Sequence, residues 1–337
     1  MLNELNSLKS LFVTPNRFIV LAHKSPDGDA VGSAVGFYKF LSNIACEAQL
    51  ILPDKPSDTL LPFLAESHCL YYSEHAEIVK ECFNESTILI CLDFNAPSRV
   101  GEMQYLIETF KGIKVMIDHH PEPEPFAQIM ISDVTNSSTC QLIYECLEAM
   151  DYTDAIDQSV ARALYLGIMT DTGSFRFPSV NAKTHEILSK LIQTGIAHWQ
   201  IHQDVFDHNS LDQLQLRGYA ISEKLVLLNK TDKSIPAGYI SLTREDLSRF
   251  NYKTGDTEGL VNVILSIEGV KVAVLMQEKE DGIKMSFRSK DGIYVNELAK
   301  EHFNGGGHKY AAGGISFDSL EVTISKLRSL MEQQFCI

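Results

Sequence analysis

Four separated groups of ionisable residues share one chemical character in this 337-residue chain. They are His23, Asp27 and Asp29 in the run His23–Asp29, Asp93 in the run Ile90–Asn95, the triplet Asp118-His119-His120, and Asp171 in the run Gly167–Ser174. Each falls where an apolar stretch stops. Carboxylates gathered in one place repel one another unless cations neutralise them. Imidazole mixed with carboxylate suits a first-row divalent ion, and the predominance of oxygen ligands favours manganese. Taken singly, each group has a plainer reading: an Asp-Gly-Asp is a turn, and a lone histidine after a strand is a surface residue. The joint pattern points to a metal centre.

A second set of residues suits anion binding. Gly305, Gly306, Gly307 and His308 form a backbone that can approach an anion closely, or else a glycine turn with an incidental histidine. Arg288 closes a strand-like run and offers a guanidinium to a phosphate or a base edge, or is an ordinary surface arginine. Arg99 and Ser138 are further candidates, Ser138 doubling as a helix N-cap.

The elements that must hold these groups are legible in the first two hundred residues. Phe18–His23, Thr87–Phe94 and Ile113–His119 read as strands by length and β-branched content. Ala30–Leu41, Thr139–Met150, Ala155–Met169 and Ala182–Thr194 have helical spacing. Such alternation predicts an α/β fold with a parallel sheet and helices on both faces, whose ligands bind beyond the carboxyl ends of the strands. The stretch 196–233, with the turn-like Asn229–Asp232, reads as a helical linker between domains 1–195 and 234–337. In the C-terminal part, strands at Ala237–Leu242, Val270–Gln277, Ile283–Arg288 and Gly313–Phe317 join helices at Glu258–Ile267, Val295–His302 and Leu320–Gln334, which predicts a smaller α/β domain with a mixed sheet.

The net charge of −15 argues against an enzyme that tracks along polymer nucleic acid on a basic stripe. The acid is unevenly spread: 233–337 holds 13 Lys and Arg against 14 Asp and Glu, and the remainder 16 against 30. An acidic metal domain beside a neutral anion-contacting one would produce this, as would a solubilising acidic surface. The seven cysteines lack CxxC pairing and sit mostly in apolar runs, so a reduced, cytoplasmic chain is expected. No run approaches the ~18 apolar residues of a membrane span, and Met1–Leu11 reads as a surface helix and not as a signal peptide.

With these motifs in this order, the chain resembles the DHH phosphoesterases, the family named for the triplet standing here as Asp118-His119-His120, and within it the NrnA-like subgroup. Gly305–His308 followed by Ala311–Gly314 matches the motif of the family's DHH-associated C-terminal domain. The resemblance implies two divalent metal ions, Mn2+ by the oxygen-rich donor set. One ion would be held by His23, Asp27 and Asp93, the other by Asp29, Asp93, His119 and Asp171, with Asp93 bridging. Asp118 would orient the metal-holding histidine and His120 would contact the scissile phosphate. Asp93 and His120 are therefore the catalytic expectations. Substrate contacts are assigned to His120, Arg99, Ser138, Arg288, Gly305, Gly306, Gly307 and His308. The implied activity is cleavage of very short oligoribonucleotides from the 5′ end, together with dephosphorylation of 3′-phosphoadenosine 5′-phosphate (pAp) to AMP.

Alternatives within the family are dinucleotide or cyclic-dinucleotide phosphodiesterases, whose membrane-anchored members carry segments ahead of a first motif that stands here near residue 23. Family pyrophosphatases lack the Gly-Gly-Gly-His motif, and the long single-strand exonucleases are larger. A non-catalytic nucleotide-binding regulator would not need so many clustered carboxylates. Partners are short RNA and pAp, with neither long duplex nucleic acid nor membrane expected. The oligomeric state stays open, a homodimer included.

Overall fold

The computed structural model describes residues 2–207, 209–228 and 236–335, and divides into two units, Met1–His208 and Asn209–Ile337. The first is built on strands β1 (Arg17–Leu21), β2 (Glu47–Leu52), β3 (Leu70–Tyr71), β4 (Ile88–Leu92), β5 (Ile113–Asp118) and β6 (Ile129–Ser132). They form one six-stranded sheet in the order β3-β2-β1-β4-β5-β6, every pair parallel. The order reverses between β1 and β4, which opens a crevice at the strands' carboxyl ends.

Both faces of this sheet are covered, and the side chains show why β1 and β4 read as unbroken apolar runs. Phe18 and Val20 of β1, with Ile88, Ile90 and Leu92 of β4, join a core shared with the helices Gly28–Asn43, Thr139–Ala149 and Gln158–Asp171. Ile19 and Leu21, with Leu89 and Cys91, pack on the other face against the helices Tyr72–Glu85 and Gln104–Thr109. Alternation in space thus produces continuity in sequence. The helices Gly28–Asn43 and Gln158–Asp171 approach closely because Gly32 has no side chain: a Cβ there would lie 2.5 Å from the Ala163 carbonyl oxygen.

The second unit repeats the plan with a mixed sheet of β7 (Leu225–Leu228), β8 (Ala237–Leu242), β9 (Val272–Lys279), β10 (Gly282–Ser289), β11 (Gly306–His308) and β12 (Ala311–Ser316). Its order is β11-β12-β10-β9-β8-β7. β8 and β9 are parallel and the other pairs antiparallel. Val272, Val274 and Met276 of β9 pack with the helices Asn296–His302 and Leu320–Phe335. Ala273 and Leu275 pack on the opposite side with Leu216 and Ala220 of the helix Leu211–Glu223. The α/β class, the parallel first sheet and the mixed second sheet agree with the expectation from sequence.

The stretch 196–233 contains the helix His198–Phe206 of the first unit, and the helix Leu211–Glu223 and strand β7 of the second; the turn-like Asn229–Asp232 lies outside the described residues. Strands β2, β3, β6, β7 and β11 and the helix Tyr72–Glu85 were absent from the sequence reading. β3, β6 and β11 span two, four and three residues, too short to show a period.

Candidate metal centre

Each acidic or imidazole group of the first unit is delivered by the end of an element. His23 lies two residues beyond β1, Asp93 directly follows β4, and Asp118-His119-His120 closes β5. Asp27 caps the helix Gly28–Asn43, its Oδ1 accepting the N–H groups of Asp29 and Ala30 at 3.0 and 3.1 Å. Asp171 is the last residue of the helix Gln158–Asp171. The strand ends flank the reversal in strand order, so topology gathers residues that lie up to 148 positions apart.

Two of the three histidines are set alike. His23 Nδ1 lies 2.8 Å from the Lys24 carbonyl oxygen and His119 Nδ1 lies 3.3 Å from that of Asn136. A carbonyl only accepts, so each Nδ1 donates and each Nε2 is the ring nitrogen turned toward the carboxylates. His23 Nε2 faces Asp93 Oδ2 at 3.5 Å and Asp27 Oδ1 at 3.9 Å. His119 Nε2 faces Asp171 Oδ2 at 3.5 Å, with Asp29 Oδ2 and Asp93 Oδ1 both at 3.9 Å. The Nε2 atoms and the carboxylate oxygens that face them are separated by a little more than a hydrogen bond, a spacing that donors around a cation also have. Ligand atoms of His23, Asp27 and Asp93 lie within 4.8 Å of one another, and so do those of Asp29, His119 and Asp171. Asp93 touches both sets, Oδ2 toward His23 and Oδ1 toward His119.

Asp93, Asp29 and His119 are buried, Asp171 is one-third exposed and Asp27 half exposed. Burial, and then the charges of Asp29, Asp27, Asp118 and Asp171, push the Asp93 carboxyl well above the usual carboxylate range. Asp93 also adopts a left-handed φ of 63°. Its backbone N–H is held by the Ile117 carbonyl at 3.1 Å. Asp and Asn tolerate that conformation better than other side chains, and it turns the chain sharply out of β4.

The fully buried Asp118 grips His120 and not His119. Its Oδ1 accepts from His120 Nδ1 at 2.8 Å and its Oδ2 from the His120 backbone N–H at 3.1 Å. The expectation from sequence gives Asp118 to the metal-holding histidine; in the structure the Asn136 carbonyl meets His119 Nδ1 and the Asp118 carboxylate meets His120.

Ser138 is fully buried and caps the helix Thr139–Ala149 by accepting the Gln141 N–H at 3.0 Å, the alternative the sequence had left open for it. Arg99 is exposed in a 3-10 segment, Pro97–Met103, and its carbonyl receives the Lys24 N–H at 2.9 Å beside His23. From sequence, Asn136 carries no expectation, and Thr139 stands with Ser137 and Ser138 as a weaker substrate-contact candidate or a helix N-cap, not as part of the metal centre. The available signal was the run Asn136–Thr139, which holds more polar groups than one helix cap consumes.

In the second unit, Gly305–His308 leads into a hairpin in which His308 pairs with Ala311. Ala311 pairs on its other side with Arg288. Directly paired residues share a sheet face, so Arg288 and His308 stand on one face with the small Ala311 between them. One step along, Ser286, Gly313 and Gly306 continue that face. A Cβ on Gly305 would lie 2.0 Å from the Gly313 carbonyl oxygen, so this glycine is required by packing alone. Gly307, at φ 136°, is required by the backbone. A Cβ on Gly306 would meet nothing within 4 Å.

Among the described residues, no helix is long and apolar enough to cross a membrane. The family model described as the DHH family N-terminal domain matches residues 17–168, and that of the DHHA1 domain matches residues 238–334. The chain is 28% identical over 337 residues to the bifunctional oligoribonuclease and PAP phosphatase NrnA of Bacillus subtilis, covering 99% of each chain. It is 26% identical to the protein of the same name from Thermus thermophilus, over 87% of this chain and 82% of that one. The crystal structure of an exopolyphosphatase-related protein from Bacteroides fragilis superposes with a TM-score of 0.92 at 34% identity, over 99% of this chain and 96% of that one.

Proposed function

The chain belongs to the DHH phosphoesterase family, and we propose that it is a two-metal phosphohydrolase of very short oligoribonucleotides and of pAp. The observation that carries this reading is the pair of imidazoles whose Nδ1–H groups are given to backbone carbonyls while their Nε2 atoms turn to converging carboxylates. Four carboxylates, those of Asp27, Asp29, Asp93 and Asp171, converge on these two Nε2 atoms, more negative charge than two imidazolium groups could balance, so the donor set fits divalent metal. His23, Asp27 and Asp93 would hold one ion, and Asp29, Asp93, His119 and Asp171 the other, and the oxygen-rich set favours manganese. Such a pair supplies Lewis acidity and lowers the pKa of water toward ~7.

The chain's own residues do the rest. Asp118 fixes the ring of His120 through Nδ1, and His120 would contact the scissile phosphate through Nε2. Asp93 divides its oxygens between the two ligand sets and fixes their separation. Arg99, exposed and joined through its carbonyl to the Lys24 N–H, is assigned to a phosphate oxygen, while Ser138 serves the turn that carries Thr139. Arg288 and His308, with the floor of small residues between them, are assigned to the substrate's 5′-terminal nucleotide, and Gly306 to a close backbone approach. The six described cysteines are free, which supports a reducing, cytoplasmic setting.

The relatives named for both activities act on substrates with a common core. In pAp and in a 5′-phosphorylated dinucleotide, the 3′ oxygen of a 5′-phosphorylated nucleoside is bonded to phosphorus. Attack of water at that phosphorus forms a new P–O bond and expels the 3′ oxygen, which leaves with a proton. pAp then gives AMP and phosphate, and the dinucleotide gives two nucleoside monophosphates. One site serves both reactions when the terminal nucleotide is recognised and the next phosphate is cleaved. A panel of pAp, di- and trinucleotides, cyclic dinucleotides and pyrophosphate, assayed with manganese, tests this. The expected result is fastest turnover of pAp and 5′-phosphorylated short RNA, with a labelled trinucleotide shortened from its 5′ end. Release from the 3′ end, or equal rates with a 5′ hydroxyl, would refute it.

A further inference from the structure

The turn from Asn136 to Cys140 meets three groups of the centre at once. The Asn136 carbonyl accepts from His119 Nδ1 at 3.3 Å. The N–H groups of Thr139 and Cys140 donate to the two oxygens of Asp29 at 2.6 and 3.0 Å. The Thr139 hydroxyl donates to Asp93 Oδ1 at 2.9 Å. The first three contacts use backbone atoms and do not depend on side-chain identity. The fourth depends on one hydroxyl.

That hydroxyl is not the helix cap, because Ser138 performs the capping. Thr139 is fully buried, and the turn bearing it is fastened from behind. Ser137 Oγ and Thr184 Oγ1 donate to Gln141 Oε1 at 2.6 and 2.9 Å, and Gln141 Nε2 donates to Glu145 Oε1 at 3.0 Å. A hydroxyl held this firmly can impose an orientation on its acceptor. Asp93 needs one. Its backbone is set by the left-handed φ and by the Ile117 carbonyl, but those contacts leave its carboxylate free to turn, and Asp29 and Asp27 repel it.

We infer that Thr139 is a positioning residue for the metal centre: its hydroxyl sets the twist of the Asp93 carboxylate so that Oδ2 serves the His23 side and Oδ1 the His119 side. This rests on the two-metal reading of the site. Groups that orient metal ligands in this way change metal affinity by about 10–100-fold when removed. Thr139→Val keeps the shape and the β-branch and deletes only the hydroxyl, whereas Thr139→Ser keeps it.

The test is a Mn2+ titration of the full chain and both variants, followed by electron paramagnetic resonance, with circular dichroism to confirm folding. The unsubstituted chain should bind two ions that report each other through a spin-coupled signal. Thr139→Val should bind the second ion about 10–100-fold more weakly and lose the coupled signal, and Thr139→Ser should recover both. A Thr139→Val chain with unchanged affinity and coupling overturns the assignment, as does a Thr139→Ser chain as weak as Thr139→Val. If Thr139→Val does not fold, Thr139→Ala is read against Thr139→Ser by the same criteria. An unsubstituted chain that binds no coupled pair overturns the two-metal reading itself, a result distinct from failure of Thr139 alone.

Discussion

Asp93 and Asp246 are buried aspartates, one in each unit, in opposite surroundings. Asp246 receives the Tyr219 O–H at 2.7 Å, the Thr243 N–H and hydroxyl both at 2.9 Å, and the Lys224 ammonium at 2.8 Å. Burial opposes its charge, but the contacts from Lys224, Tyr219 and Thr243 outweigh burial and hold its carboxyl at about 2. Asp93 receives the Thr139 hydroxyl and otherwise faces imidazoles and other acids, and burial followed by the charges of those acids pushes its carboxyl up instead. The contrast separates two uses of a buried acid. Where the protein supplies the cation and the donors, the acid is part of the fold. Where its neighbours are acids and imidazoles, the proposed role is to hold cations from outside.

Substitutions should widen this contrast. The largest effect is expected at Asp93: replacing it with Ala should lower hydrolysis by at least about 10³-fold, because charge stabilisation from both ions is disturbed. Metal analysis should then find fewer than two ions per chain, and a variant still loaded with both would show that Asp93 does not bridge. His120→Ala should lose about 10²–10⁴ in turnover while retaining both ions, since the shortest contact of that ring is to Asp118 and it is assigned to the phosphate. Loss of metal from His120→Ala would move this histidine into the ligand set.

The smallest functional effect is expected at Asp246. Asp246→Asn should leave metal content and turnover unchanged and should destabilise the fold by about 1–3 kcal/mol, the usual range for a buried charged hydrogen-bond partner. The sign with pH follows from its lowered pKa. The Asp246 contribution should be complete above its ordinary value of 3.8 and should fade as pH falls toward about 2. Thermal melts of the unsubstituted chain and Asp246→Asn should therefore converge across that interval. Curves that stay parallel down to the acid end would contradict the stabilising role given to the Asp246 charge.

The sequence revealed one of these two acids and concealed the other, for a physical reason. Asp93 ends a strand buried on both faces, so an unbroken apolar run leads directly to it. Asp246 lies in a Thr-x-x-Asp capping box, which looks like any helix start; its partners Tyr219 and Lys224 come from an element far away in the chain. Residues that end β1, β4 and β5 were legible for the same reason as Asp93. Those acting through the backbone were not: the Asn136 carbonyl that orients His119 carries no side-chain signature. Helix limits moved similarly. Ala155–Met169 reads as one helix, but Thr153–Ala155 is a separate 3-10 turn, and Asp157 begins the helix by capping the N–H groups of Ser159 and Val160. β2 opens with Glu47, Ala48 and Gln49, only partly covered, so its apolar half was too short to stand out.

The most direct measurement is to strip the chain with a chelator and titrate Mn2+ back, counting bound ions while following pAp hydrolysis. The account predicts no turnover in the stripped protein and two ions per chain at saturation, with turnover rising as the second ion binds. Full hydrolysis in the stripped protein, or saturation at a single ion with full activity, would contradict it.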